Sequence, residues 1–240
     1  LGRQSGEGVG NYAITNGSLA STNNYALTIN TTGANETITA ANLTVNASNA
    51  TKTYGSDDPT LAYTTAGLVN GTVQSRDANG NLVNVSLADT AANTLTGSLG
   101  RQSGEGVGNY AITNGSLAST NNYALTINTT GANETITAAN LTVNASNATK
   151  TYGADDPTLA YTTAGLVNGT VQSRDASGNL VNVTLADTAA NTLTGSLGRQ
   201  SGEGVGNYAL TNGSLASTNN YALTINTTGA NETITAANLT

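Results

Sequence analysis

Apolar residues recur along this chain mostly at every second position, the period of a strand with one buried face. Tyr123, Leu125 and Ile127 alternate with Ala124 and Thr126, and Tyr110 precedes Ile112 at the same spacing. Leu61 and Tyr63 make a shorter run, and Leu43 and Val45 open another. Val83, Val85 and Leu87 share a face opposite Asn84 and Ser86, so residues 72–94 read as a hairpin whose turn is residues 77–81. Leu95, Gly97 and Leu99 read as one further strand. Turn signals fall between these runs: Gly55 to Pro59, Asn70-Gly71, the glycines at 104, 106 and 108, Asn114-Gly115 and Gly131. The one helix candidate in this stretch is a single turn over residues 90–93, with Asp89 as its cap.

The whole pattern repeats. Residues 5–45 return unchanged as 103–143 and come back from Ser201 with Leu210 in place of Ile112, a period of 98 residues. Over the overlap the copies differ only at Ser56/Ala154, Asn79/Ser177, Ser86/Thr184 and Ile112/Leu210. So long a period marks an array of whole small domains, not a solenoid of short units. The predicted division is 1–40 for the C-terminal part of a module, 41–138 and 139–236 for complete modules, and 237–240 for the start of the next. At the joint, Ile136 and Ala138 lie on one face while Leu141 and Val143 are offset by an odd number. A one-residue slip exchanges the faces, so one core is expected to end near Ala138 and the next to begin at Leu141. A joint of about two or three residues is too short for the swing of a flexible tether. Stiffly coupled modules follow. The expected fold is all-β, each module either an Ig-like sandwich or β-grasp-like with one short helix, joined end to end.

Composition narrows the chemistry. Charged residues are 9%, and Phe, Trp, Met, Cys and His are absent, leaving ten Tyr as the only aromatics. Sparse charge, two prolines and alternating apolar positions describe a folded chain, not a disordered one. A net charge of −7 with no basic patch excludes nucleic acid as a partner. Without cysteine there is no disulfide or thiol chemistry. No apolar run approaches the ~20 residues of a membrane span, and no signal peptide is present. The chain starts and stops in mid-repeat, as expected of an excerpt whose targeting signals lie elsewhere.

Several residue groups invite a sharper reading. Gly6-Glu-Gly-Val-Gly10 has the look of a phosphate loop, but that chemistry needs a helix N-terminus, and Asn-Tyr-Ala-Ile-Thr follows. A β-turn is expected. Asp57, Asp58, Asp77, Asp155, Asp156 and Asp175 are candidate ligands for Ca²⁺, which takes several hard oxygens. No bidentate Glu follows the Asp77 turn, so a solvated hairpin tip and a capped loop are the preferred reading, with Asp57 or Asp58 forming an Asx-turn. Glycoside hydrolysis by paired carboxylates has no Trp or Phe platform to hold a sugar. No enzyme activity is expected. Lys52 and Lys150, one per period, read as exposed lysines guarding a strand edge rather than as cross-linking residues. Asn30, Asn42, Asn46 and Asn70 open Asn-x-Ser/Thr triplets that arise from composition.

The series Lys52-Thr-Tyr-Gly-x-Asp-Asp-Pro-x-Leu61, Gly67-Leu-Val-Asn-Gly71, Gly106-Val-Gly-Asn-Tyr-Ala-Ile112, Asn114-Gly-Ser-Leu117 and Asn122-Tyr-x-Leu-Thr-Ile127 resembles the MBG domain of the YGX type. Such domains stand in tandem arrays in bacterial surface and secreted adhesins, including filamentous-haemagglutinin-like proteins. The resemblance implies an extracellular, β-rich stalk, useful for its length and stiffness in adhesion or biofilm. It covers most of each period but departs at 72–94, where typical members pass almost directly to the Leu-Thr-Gly-Ser-Leu strand. That added hairpin is the expected site of contact between modules or fibres, through Asp77, Asn79, Asn81, Val83 and Val85, and Asp175, Asn179, Val181 and Val183 in the next copy. Other copies of the chain are therefore the expected partners. The alternative is a repeated glycan- or mucin-binding module, presenting Tyr54 and Asn70 near turns. No cofactor is expected beyond the calcium candidates.

Overall fold

A computed structural model describes residues 1–239. Residues 1–40 carry β1 (Gly2–Arg3), β2 (Gly10–Thr15) and β3 (Asn35–Ile38), an antiparallel sheet in the order β1-β2-β3. The first full repeat then runs β4 (Ala41–Ala47), β5 (Ala50–Thr53), β6 (Tyr63–Ala66), β7 (Asn70–Arg76), β8 (Leu82–Ala88), α1 (Ala91–Thr94), β9 (Leu95–Thr96), β10 (Gly100–Arg101), β11 (Gly108–Thr113), β12 (Ala118–Ser119), β13 (Tyr123–Asn128) and β14 (Asn133–Thr137). The second repeats it as β15 (Ala139–Ala145), β16 (Ala148–Thr151), β17 (Tyr161–Ala164), β18 (Asn168–Arg174), β19 (Leu180–Ala186), α2 (Ala189–Thr192), β20 (Leu193–Thr194), β21 (Gly198–Arg199), β22 (Gly206–Thr211), β23 (Ala216–Ser217), β24 (Tyr221–Asn226) and β25 (Asn231–Thr235).

Each repeat builds two mixed sheets. In the first, β13-β4-β6 forms one and β10-β11-β14-β5 the other, with β13 parallel to β4 and β14 parallel to β5. Parallel partners must be brought together from far apart in sequence, and here the first two strands of a repeat pair with its last two. Leu43, Val45, Leu61, Leu95, Leu99, Ile112, Leu117 and Tyr123 fill the space between the sheets. The hairpin β7–β8 makes no sheet with either; it stands out from the body as a two-stranded arm, in register from Asn70–Ala88 to Arg76–Leu82.

The architecture is all-β, apart from one four-residue helical turn per repeat. Four local expectations need correction. Thr90, not Asp89, caps α1: its side chain accepts from the Asn93 N–H while Asn93 accepts from the Thr90 N–H, a closed capping box. Asp89 instead accepts a hydrogen bond from the Tyr123 hydroxyl. The run from Leu95 to Leu99 holds only the two-residue β9; Gly97, whose φ of 77° bends the chain against Ser116, ends it, and β10 begins at Gly100. The strand expected from the run Leu61 and Tyr63 begins only at Tyr63 and goes on to Ala66, with Leu61 buried ahead of it.

The fourth correction concerns the joint. β14 ends at Thr137 and β15 starts at Ala139, so one residue separates them. The cores do not divide at Ala138. Ile136 and Tyr54 of the first repeat cluster with Leu141, Val143, Leu197 and Tyr221 of the second. Ile136 is placed there because β14 continues straight into β15, which carries its side chain up to the second core.

Candidate functional site

A dense set of hydrogen bonds lies where the hairpin of the second repeat meets the body of the first. It starts from five charged residues of a chain that has few. Lys52 on β5, Asp58 in the following loop, Arg101 on β10, Glu105 in the glycine-rich loop and Glu134 on β14 converge out of water. Lys52 Nζ donates to Asp58 Oδ1 at 2.6 Å and to Glu105 Oε2 at 2.5 Å. Arg101 clamps Asp58 with both Nε (2.7 Å) and Nη2 (2.9 Å), and Nη2 also reaches Glu105 Oε1 at 2.5 Å. Its Nη1 donates to the Gln102 and Gly104 carbonyls, and its guanidinium lies over the Tyr110 ring at 5.1 Å. Lys52 is therefore a buried ion-pair partner, which corrects the expectation of an exposed edge lysine.

The electrostatics follow from this crowding. Burial pushes the Asp58 carboxyl up, but hydrogen bonds from Arg101, Lys52 and the Arg174 N–H outweigh it and hold Asp58 below the ordinary value. Glu134 goes the other way. Burial, then the neighbouring Asp58 charge, raise it to about 7 against the pull of Arg101 and Lys52. Arg101 Nε lies 3.2 Å from Glu134 Oε2, yet its hydrogen is directed at Asp58. Glu134 thus feels the positive charge but accepts no hydrogen bond at either oxygen.

The glycine-rich loop belongs to this assembly. A Cβ at Gly104 would sit 2.3 Å from Tyr110 Cε1, so the glycine lets the loop wrap the Tyr110 ring, whose hydroxyl donates to the Gly106 carbonyl. Strand β11 follows the loop, as the β-turn reading requires.

The lid over the network is hairpin β18–β19. Its β18 edge reads the two aspartates: the Gln172 N–H donates to Asp57 Oδ1 (2.8 Å), the Asp58 N–H donates back to the Gln172 carbonyl (2.8 Å), and the Arg174 N–H donates to Asp58 Oδ2 (2.6 Å). Asp57 and Asp58 do cap backbone N–H groups, but those of the next repeat and not of their own loop. Arg101 Nη2 donates to Ser173 Oγ, and the Arg101 N–H to the Asp175 carbonyl. The Ser98 and Thr113 hydroxyls donate to the Gly178 and Ala176 carbonyls. Close approach is possible because residue 100 is glycine: a Cβ there would lie 2.6 Å from both the Asp175 and Ala176 carbonyl oxygens.

A second contact locks the other side of the joint. Tyr54 inserts into a cleft of the second repeat, its hydroxyl on Asp187 Oδ2 (2.8 Å) and its ring edge-on to Tyr221 with centroids 5.5 Å apart. Beside it, Asn220 Oδ1 accepts the Val107 N–H at 2.9 Å, a further bond across the joint. Burial and the Asp187 carboxylate raise Tyr54 to about 12. Tyr54 is therefore not an exposed ring offered to a glycan.

The chain contains its own control. The second repeat carries the same five residues, Lys150, Asp156, Arg199, Glu203 and Glu232, joined by the same ion pairs. No hairpin covers them among the described residues. The Asp156 side chain is 48% exposed where Asp58 is 0%, and Glu203 is 67% where Glu105 is 6%. Tyr152, the counterpart of Tyr54, is 56% exposed. Sequence decides that the network forms; the neighbouring hairpin decides that it is buried.

The residues singled out in the sequence distribute unevenly over this interface. The hairpin tips touch the preceding unit through backbone carbonyls: Asp77 accepts from the Arg3 N–H, Asn79 from the Ser18 N–H, and Asp175 from the Arg101 N–H. The carboxylates of Asp77 and Asp175 stay inside their own turns, accepting from residues 79 and 81 and from 177 and 179. Val83 and Val181 are exposed, Val85 and Val183 half-buried. The six candidate aspartates do not converge; Asp58 and Asp156 are held by Lys and Arg, and Asp155 is exposed. Arg101, Glu105, Gln172, Ser173 and Arg174 escaped the sequence reading. Their signal was the rarity of charge itself, since in so neutral a chain a Lys, two Arg and their acids return at fixed offsets.

A family model described as the MBG domain (YGX type) matches residues 43–133 and 141–231. Neither the curated proteins nor the solved structures give a match to the chain.

Proposed function

The chain belongs to the MBG domain family of the YGX type, and on that premise we propose that it is a stiff structural stretch of a secreted bacterial adhesin or extracellular matrix fibre. Repeats of this family suggest the repeat region of a surface protein, and the family is structural, not enzymatic. No helix among the described residues is long and apolar enough to cross a membrane. The function is then mechanical: it holds something at a distance from a cell surface, in adhesion or biofilm.

The observation that carries this reading is the contrast between the two copies of the ion network, one sealed by the next repeat and one open. A joint with one residue of slack, a hairpin over one side and Tyr54 in a cleft on the other resists bending in more than one direction. Deleting residues 170–186 is the test. The repeats should stay folded by circular dichroism while small-angle scattering loses the signature of a rod and nuclear spin relaxation reports separate tumbling. Unchanged scattering and relaxation in the deletion variant would overturn the assignment of stiffness to the hairpin.

A further inference from the structure

We propose that strand β8, and with it its copy β19, pairs with the same strand of a second copy of the chain, so that stalks join side by side through an antiparallel ladder centred on Val85. This rests on the stalk reading above and adds contact between stalks to stiffness within one.

A two-stranded arm has two edges, and the fold uses one of them. The β18 edge is taken: the Gln172 N–H and carbonyl and the Arg174 N–H are all bonded to Asp57 and Asp58 of the first repeat. Successive residues of a strand turn their backbone groups to opposite sides. The even residues of β18 thus face away from β19, and so do their partners across the ladder, Leu180, Asn182 and Thr184. The same register assigns Leu82, Asn84 and Ser86 of β8 to its outer side. The Ala88 and Ala186 carbonyls obey the rule, each turned outward to accept the side-chain amide of Asn93 or Asn191. No other element among the described residues bonds to the backbone of 82–86 or 180–184 from that side.

The edge is free whichever neighbour is present. β19 has a whole repeat before it and β8 a whole repeat after it, and Leu82, Val83, Leu180 and Val181 are exposed in both settings. Openness is a property of the arm and not of where the chain begins or ends. Natural sheet edges are guarded by Lys, Pro or a bulge. Residues 82–88, Leu-Val-Asn-Val-Ser-Leu-Ala, carry no charge and no proline, and they run in unbroken register with β7.

The order of these residues names the occupant. Turned on itself about Val85, the strand sets Val85 against Val85, Asn84 against Ser86, Val83 against Leu87 and Leu82 against Ala88. Apolar meets apolar and polar meets polar at every pair. Centring on Asn84 instead would set Leu82 against Ser86. The β19 sequence keeps the same symmetry, with Thr184 in place of Ser86. Asn84 and Ser86 are also the residues whose backbone faces out, so in this register they exchange both N–H to carbonyl bonds, once on each side of a two-fold axis. The contact is isologous. With one such edge per repeat, two stalks lying side by side meet at more than one point, which multiplies a weak single contact.

The register is what the experiment reads. The chain has no cysteine, and Val85 against Val85 is a non-hydrogen-bonded pair with Cα atoms about 4.5 Å apart, within disulfide range. Mild oxidation of the 240-residue Val85→Cys chain should give a disulfide-linked dimer. Asn84→Cys, which faces Ser86 and not itself, should give much less. Sedimentation velocity over a concentration series should show wild-type dimers and larger species. Asn84→Lys combined with Asn182→Lys sets like charges diagonally across the axis and should weaken association about fivefold or more. Ser86→Asp combined with Thr184→Asp should do the same. All four positions are exposed, so each variant should keep wild-type circular dichroism. Mixing the two variants should restore association, because each Lys then faces an Asp. A chain monomeric at every concentration, oxidation that does not prefer Val85→Cys, or a mixture that associates no better than its parts overturns the proposal. Failure of the stalk reading would show instead as wild-type monomer scattering that is not that of a rod.

Discussion

Asp58 accepts the backbone N–H of Arg174 at 2.6 Å, 116 residues further along the chain, while its own side chain is held by Lys52 and Arg101. One carboxylate thus belongs to the interior of one repeat and to the interface with the next. Asp58→Ala should expose both roles at once. It leaves Lys52 and Arg101 buried with fewer partners, a loss of about 3–5 kcal/mol for a broken buried pair. In urea denaturation, the transition of the first repeat should move to lower denaturant. Asp156→Ala, made at the half-exposed equivalent, should move the second transition little, because water solvates what the carboxylate leaves. Equal shifts for the two variants would mean that the hairpin contributes nothing to the burial of the network.

Tyr54 and Tyr152 give a parallel test on the other side of the joint. Tyr54→Ala removes a ring packed on Tyr221 and a hydrogen bond to Asp187, for about 3–5 kcal/mol. Tyr54→Phe removes only the hydroxyl and should cost about 1 kcal/mol. Tyr152→Ala touches an exposed ring and should leave the melting profile unchanged. The pH dependence has a definite sign. A tyrosine raised from 10.0 to about 12 in the fold contributes stability that is whole below pH 10 and lost as pH rises through 12. An alkaline absorbance titration should therefore find Tyr54 among the last phenols to ionise, and Asp187→Asn should bring it earlier.

The strand alternation, the period and the all-β class were legible because each rests on local side-chain pattern. The pairings were not. Tyr123–Asn128 and Tyr221–Asn226 are strands, but the same six residues at 25–30 form none. What differs is the partner: β13 lies parallel to β4 and β24 parallel to β15, whereas residues 25–30 have no parallel partner among the described residues. Spacing could mark Ile136 as buried without revealing that the following repeat buries it. For the same reason Lys52 read as an edge residue, since its partners Glu105 and Asp58 meet it only after β5 pairs with β14.

That contrast is itself measurable. Amide hydrogen exchange should find Leu125, Ile127, Leu223 and Ile225 protected to the level of the global unfolding of their repeats, and Leu27 and Ile29 nearly unprotected. A synthetic peptide of residues 41–47 added in excess supplies the missing parallel partner. It should raise protection at 27 and 29 and nowhere in the strands that already have their own. Strong protection at Leu27 without the peptide would show that the segment folds on local preference alone.

Glu134 supplies the last test, because burial and the Asp58 charge outweigh what Arg101 and Lys52 give its charged form. Its folded value of about 7 stands above the ordinary 4.5, so the folded chain holds a proton that the unfolded chain releases. The stability tied to that proton is complete below about pH 4.5 and is lost as pH rises through about 7. Asp58 works in the opposite sense and at lower pH: held below 3.8, its contribution is present above that value and falls away in acid. The window between 4.5 and 7 therefore belongs to Glu134. Wild-type stability should decline across it by something on the order of 1–3 kcal/mol. Glu134→Gln cannot ionise, so its profile should be flat there, and it should be the more stable protein at pH 8. A variant that is less stable at pH 8 would mean that Arg101 and Lys52 stabilise the Glu134 carboxylate by more than its burial costs.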